Sequence, residues 1–179
     1  MLACNIALAK DFDITPQPIE SINTPIGYKL ESFNKRYTFA IPKAYTVKRA
    51  DIEYEFLMII SKGKIISSIM DVPASNNSLF NADDFGLKGN RGQVLIALYD
   101  KKITTNKEIN KFREEIFKFS TNIQVFKRDN FIFYKQTSIE EGDINLTISN
   151  LINDDLISAG FDKGNEDLFM TFIKTFKSN

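Results

Sequence analysis

The chain has no histidine, no tryptophan and a single cysteine among its 179 residues. Histidine is the side chain whose ordinary pKa lies near neutrality, so the commonest general base is missing. Serine and cysteine triads that depend on histidine are excluded. So are histidine-ligated zinc sites, and one cysteine supplies neither a four-cysteine site nor an internal disulfide. There is no charge excess: 23 basic residues stand against 23 acidic ones. That argues against a nucleic-acid partner, which calls for a basic surplus. No apolar run approaches the roughly 18 residues of a membrane-spanning helix. Carboxylate-only chemistry, as in glycoside hydrolysis, survives these exclusions. No metal and no cofactor is expected.

What is present suits a globular α+β domain. Apolar residues make up 43% of the chain, and 16 of its residues are phenylalanine, enough for a core that needs no disulfide. Residues 1–26 predict an export remnant followed by an extended tether, because Pro16, Pro18 and Pro25 remove backbone donors; a short edge strand fits there. Residues 27–179 predict one domain. Tyr28 and Leu30, then Tyr37, Phe39 and Ile41, alternate with polar residues around a turn at "FNKR". "ADIEYEFLMII", with Ile52, Tyr54, Phe56, Met58 and Ile60 at period two as its core face, and "IISSIMDVP" predict strands joined at Gly63. "VLIALY", residues 94–99, is a continuous apolar run that predicts a doubly buried strand. Thr105 and Glu108 have capping-box spacing, and Ile109, Phe112, Ile116 and Phe119 mark one helix face. Hairpins are predicted at Asp129-Asn130 and Asn153-Asp154. A last helix is predicted from an Asn165 cap, with Phe172 in its core face. The resulting expectation is an antiparallel β-sheet covered by helices near 105–120 and 165–177.

Three stretches resemble the PsbP-like fold family, which includes photosystem accessory proteins and DcrB-type envelope lipoproteins. "RYTFAIPKAY" is similar to its opening strand. "VLIALYDKKITTNKEINKFREEIFKF" is similar to its central strand and following helix, and "EDLFMTFIKTFKSN" to its closing helix. The family often carries a tryptophan just after the proline; here Tyr45 stands three residues on. The resemblance implies a non-catalytic accessory or binding role and carries over no catalytic residue.

The loop "FGLKGNRGQ" spaces Gly86, Gly89 and Gly92 three apart. A phosphate cradle places such glycines before a helix; with a strand expected next, a surface connection is favoured. Residues 74–93 are then expected to be mobile and to meet a protein partner through Phe80 and Phe85, with Lys88 and Arg91 as rim charges. Asp83-Asp84 and Asp154-Asp155 suit turn and cap chemistry better than paired acids, because adjacent strand residues face opposite ways. "FIFYKQ" suits a half-buried strand better than a base-stacking platform.

The opening "MLACNIALAK" suggests export. "LAC" resembles the end of a lipobox, with Cys4 as the lipid-attachment residue, and Ala7-Leu8-Ala9 offers an ordinary signal-peptidase site. The expected address is the periplasm or a lipid-anchored outer membrane, with the cytoplasm as the alternative. The expected function is a non-catalytic bacterial envelope protein that binds another protein, in its specific version an immunity protein neutralising a secreted toxin. A carboxylate-dependent hydrolase and a carrier of a small apolar ligand are the competing readings.

Overall fold

A computed structural model describes residues 14–51, 54–73, 85–87, 89–99 and 107–179. Among them are eleven strands and three helices. The strands are β1 (Gln17–Pro18), β2 (Tyr28–Phe33), β3 (Tyr37–Pro42), β4 (Thr46–Asp51), β5 (Glu55–Ser61), β6 (Lys64–Asp71), β7 (Ser120–Arg128), β8 (Phe131–Ser138), β9 (Ile144–Asn150), β10 (Asp155–Phe161) and β11 (Lys177–Ser178). The helices are α1 (Arg91–Tyr99), α2 (Lys107–Lys118) and α3 (Glu166–Thr175).

Eight strands form one sheet in the order β1-β7-β8-β9-β10-β6-β5-β4, and β11-β3-β2 form a second. Period-two alternation lets the large sheet bury both faces. Along β8, Phe131 and Phe133 enter one core, while Ile132 and Tyr134 enter the other. The first core is closed by the small sheet and α3, through Phe39, Ile41, Phe169, Phe172 and Phe176. The second is closed by α1 and α2, through Val94, Leu98, Ile109 and Phe117. The molecule is therefore layered: small sheet with α3, large sheet, then α1 with α2.

The expected architecture, an antiparallel sheet covered by helices near 105–120 and 165–177, is overturned. The protein is more β-rich, and its large sheet is mixed because β1 runs parallel to β7. One face is covered jointly by α3 and a second sheet. The run at 94–99 is helix α1, not a strand. It is buried on nearly every side, so it shows no amphipathic stripe, and a short apolar run alone does not separate helix from strand. Asn90 caps it: its side-chain oxygen accepts the Gln93 N–H at 3.2 Å.

Other departures have local causes. On β5, Leu57 and Ile59 are fully buried and Phe56 and Met58 only half-buried. Phe119 is exposed, and Phe112 is half-buried. Thr105 lies outside the described residues. Asn165 does not cap α3 through its side chain; its amide donates to the Asp162 carbonyl at 3.0 Å instead. β4 is a polar strand at the sheet edge and shows no clear alternating pattern in the sequence. The turn at Asn34-Lys35 has φ values of 52° and 55°, and Arg36 N–H donates to Phe33 O at 3.1 Å. These are the marks of a type I′ hairpin, whose twist matches its strands. Residues 14–26 lie along the fold: Ile19 N–H donates to Lys127 O and Ile22 N–H to Lys174 O, both at 3.1 Å.

Two buried arginines close helix ends. Arg128, at the end of β7, donates to the carbonyls of Ile173 at 2.8 Å, Lys174 at 2.7 Å and Phe176. Arg113, on α2, donates to the carbonyls of Leu98 and of Ala97, the latter at 2.7 Å. Both sit where helix carbonyls lack partners and the macrodipole is negative.

Candidate functional site

The large sheet ends in a charged cleft. β6 finishes there with Asp71, followed by Val72 and Pro73; the β9–β10 turn brings Asn153 and Asp154, β10 opens with Asp155, and α1 starts there with Arg91. Arg36 reaches in from the β2–β3 turn and Tyr54 from the connection before β5. The cavity is about 210 Å³.

Arg36 is the hinge of the cluster. Its Nη1 donates to both oxygens of Asp155, at 2.6 and 2.7 Å, and its Nη2 stands 3.7 Å from Asp71 Oδ2. Tyr37 also donates its hydroxyl to Asp155, and accepts from the Asn150 amide at 3.3 Å. Burial opposes the charge on Arg36, but the hydrogen bond and charge of Asp155 outweigh it and hold the guanidinium above its ordinary pKa. Burial, then the bond to Asp155, pushes the Tyr37 phenol up to about 12. Burial likewise raises the Asp71 carboxyl; the Arg36 charge pulls the other way and does not cancel it.

Arg91 is sunk beneath this surface. It donates from Nη1 to Val72 O at 2.5 Å and from Nη2 to Asp154 O at 2.6 Å. Asp154, in a left-handed turn position with φ of 54°, accepts the Arg91 N–H at 2.8 Å through Oδ1. The glycine loop thus leads into a helix after all, unlike the expected strand. Two of its N-terminal donors are already taken: Arg91 N–H by Asp154 and Gln93 N–H by Asn90. Gly92, inside α1, is required by close packing: a Cβ there would stand 2.5 Å from Ser149 Oγ.

Of the residues singled out for a partner, Phe80, Lys88 and the lipid-attachment candidate Cys4 lie outside the described residues. Phe85 is half-buried and stacks on Phe112 with centroids 5.5 Å apart. Arg91 is buried rather than a rim charge. The structure gathers Arg36, Tyr54 and Asp71 instead, none of which the sequence marked as a site. Arg36 and Asp155 are 119 positions apart, and no local spacing records their meeting. Asp154 does show the expected cap chemistry.

Among the described residues no group of three or more histidine, cysteine or carboxylate side chains is placed to hold a metal ion. No helix among them is long and apolar enough to cross a membrane. The sequence matches no protein-family model, and no curated protein matches it.

Proposed function

We propose that the protein is a non-catalytic binding protein of the bacterial envelope whose partner is another protein. The observation that carries the reading is an exposed apolar pair. Phe119 is 70% exposed and Ile139 52% exposed. Ile139 N–H donates to Phe119 O at 3.1 Å, which joins the two in one patch. Single exposed apolar residues are ordinary. An adjacent pair that includes an aromatic ring is the kind of anchor that partners desolvate.

The cleft supports the non-catalytic part. Asp71 and Asp155 are diagonal neighbours on one sheet face, since Asp71 pairs with Ile157. A hydrolase using two carboxylates needs the gap between them open for the scissile bond and a water. Here the Arg36 guanidinium stands in that gap, hydrogen-bonded to Asp155 and 3.7 Å from Asp71. The apolar-carrier reading is weaker, because Phe85 and Leu87 pack against the second core. Neutralisation of a secreted toxin remains the specific version; it needs no catalytic group. It rests on the export reading of residues 1–10, and the PsbP-like resemblance argues in the same direction.

The test is co-purification of the full chain from its native host, repeated with a Phe119→Ser/Ile139→Ser variant. A stoichiometric protein partner lost from the variant, with unchanged thermal melting, is the expected result. A partner retained by the variant overturns the assignment of the patch, and the absence of any partner overturns the function.

A further inference from the structure

We propose that the charged cleft binds a sugar ring, a neutral polyhydroxyl unit seated against Tyr54. This goes beyond the protein partner and uses a different surface.

The cleft holds unspent hydrogen-bonding capacity of both kinds. Arg91 has a side chain nine-tenths buried, and its Nε has no hydrogen-bond partner; Asp154 Oδ2 stands 3.6 Å away. Arg36 Nη2 and Asp71 Oδ2 stand 3.7 Å apart. Both separations exceed hydrogen-bond contact. Among the described residues no donor bonds to the Asp71 carboxylate, which has room for about four. The cleft thus sets two loose guanidinium–carboxylate pairs side by side.

Charge decides what fits between them. A cation there meets Arg36 and Arg91. An anion meets Asp71, Asp154 and Asp155. An apolar group covers Arg36 Nη2 and the Asp71 carboxylate without bonding either, which is unfavourable. A hydroxyl both donates and accepts, so one hydroxyl bridges a guanidinium to a carboxylate. A neighbouring hydroxyl, as on a sugar ring, then reaches the Asp154 carboxylate, whose side chain is 40% exposed above the buried Arg91. The C–H face of such a ring packs on an aromatic surface, and Tyr54, 47% exposed, lines the opening. At about 210 Å³ the cleft is smaller than the roughly 300–1,000 Å³ of pockets for larger organic ligands. It has room for a single ring rather than a chain.

The experiment titrates the full chain with the methyl glycosides of glucose, galactose and mannose and with N-acetylglucosamine, read by saturation-transfer NMR and calorimetry. L-Lysine and inorganic phosphate serve as charged probes. Expected is saturable binding of at least one sugar, weakened about tenfold or more by Tyr54→Ala and by Asp71→Asn, since hydrogen bonds to charged groups are the stronger ones. Thermal melting shows each variant folded, and Asp71→Asn keeps the test valid if Tyr54→Ala is not. Binding of lysine or phosphate in place of sugar, sugar binding indifferent to Asp71→Asn, or no saturable sugar binding overturns the proposal.

Discussion

Gly92 of α1 and Ser149 of β9 approach so closely that any side chain on the first meets the second. A Cβ on Gly92 would stand 2.5 Å from Ser149 Oγ and 3.0 Å from Leu151 Cδ2. The Ser149 hydroxyl is itself buried without a hydrogen-bond partner. In an exposed helix, Gly→Ala stabilises by about 1 kcal/mol. Here overpacking reverses the sign, and Gly92→Ala is expected to destabilise by about 1–3 kcal/mol in urea unfolding. Removing the hydroxyl with Ser149→Ala should restore part of that loss, giving a measurable coupling in a double-mutant cycle. Additive effects would show that α1 shifts freely on the sheet.

Arg128→Met tests the closure of α3. The substitution keeps much of the aliphatic stem but removes the guanidinium donors from the carbonyls of Ile173 and Phe176, and from that of Lys174, which keeps the Ile22 N–H. It also removes the guanidinium 5.6 Å from the Phe133 ring centroid. Buried acceptors left unpaired cost about 1–3 kcal/mol each at most, with relaxation reducing the sum. A loss of about 3 kcal/mol is expected by chemical denaturation. Its exposed neighbour gives the control: Lys127→Met should stay within about 0.5 kcal/mol.

How much of this was visible in the sequence depends on range and on periodicity. The hairpins at Asp129-Asn130 and Asn153-Asp154 were legible because turn residues lie between alternating runs, and both form. β4 was not, because "TVKRAD" is an edge strand whose Thr46, Lys48 and Arg49 face solvent. On β5 the run "FLMII" is apolar at both parities, so alternation does not choose between Phe56-Met58 and Leu57-Ile59. For α1 a usable sign was present: Asn90 and Gln93 stand three apart before an apolar run, a helix start. The apolar run outweighed it. The cleft was illegible for another reason. Its ion pairs join β2–β3, β6, α1 and β10, and their meeting is set by sheet order rather than by any local pattern.

Asp71 gives a pH prediction whose sign is opposite to that of most carboxylates. Burial raises its folded pKa above the ordinary aspartate value. The native state therefore binds this proton more tightly than the unfolded chain. Its contribution is most favourable below the ordinary pKa and declines as pH rises to the raised one. Above that, the buried charge is a standing cost that Arg36, at 3.7 Å, does not offset. Asp71→Asn is expected to be more stable than the parent at neutral pH. The difference should vanish below the ordinary aspartate pKa. Urea midpoints across pH 3 to 7, an acidic-to-neutral range spanning the ordinary value of about 3.9, decide it. A variant less stable at neutral pH would mean that the Arg36 pair is worth more than the desolvation it requires.

Three phenylalanines from the two predicted helix faces should separate by burial alone. Phe172 is fully buried and packs on Phe39, Phe161 and Phe176, with centroids 4.7, 5.4 and 5.5 Å away. Phe112 is half-buried, with Phe85 stacked over it. Phe119 is 70% exposed. Truncating a buried phenylalanine costs the transfer of its ring and the cavity it leaves, so Phe172→Ala should lose about 3–5 kcal/mol. Phe112→Ala leaves a site open to water on one side, where no closed cavity forms, and about 1–2 kcal/mol is expected from its buried area. Phe119→Ala should fall within about 0.5 kcal/mol. The order matters for function as well as fold. A near-neutral Phe119 is one the folded chain does not need for its own stability, which leaves the ring for a partner. Equal losses at Phe119 and Phe112 in denaturant unfolding would mean that Phe119 packs on the protein itself, and the partner patch would have to be sought elsewhere.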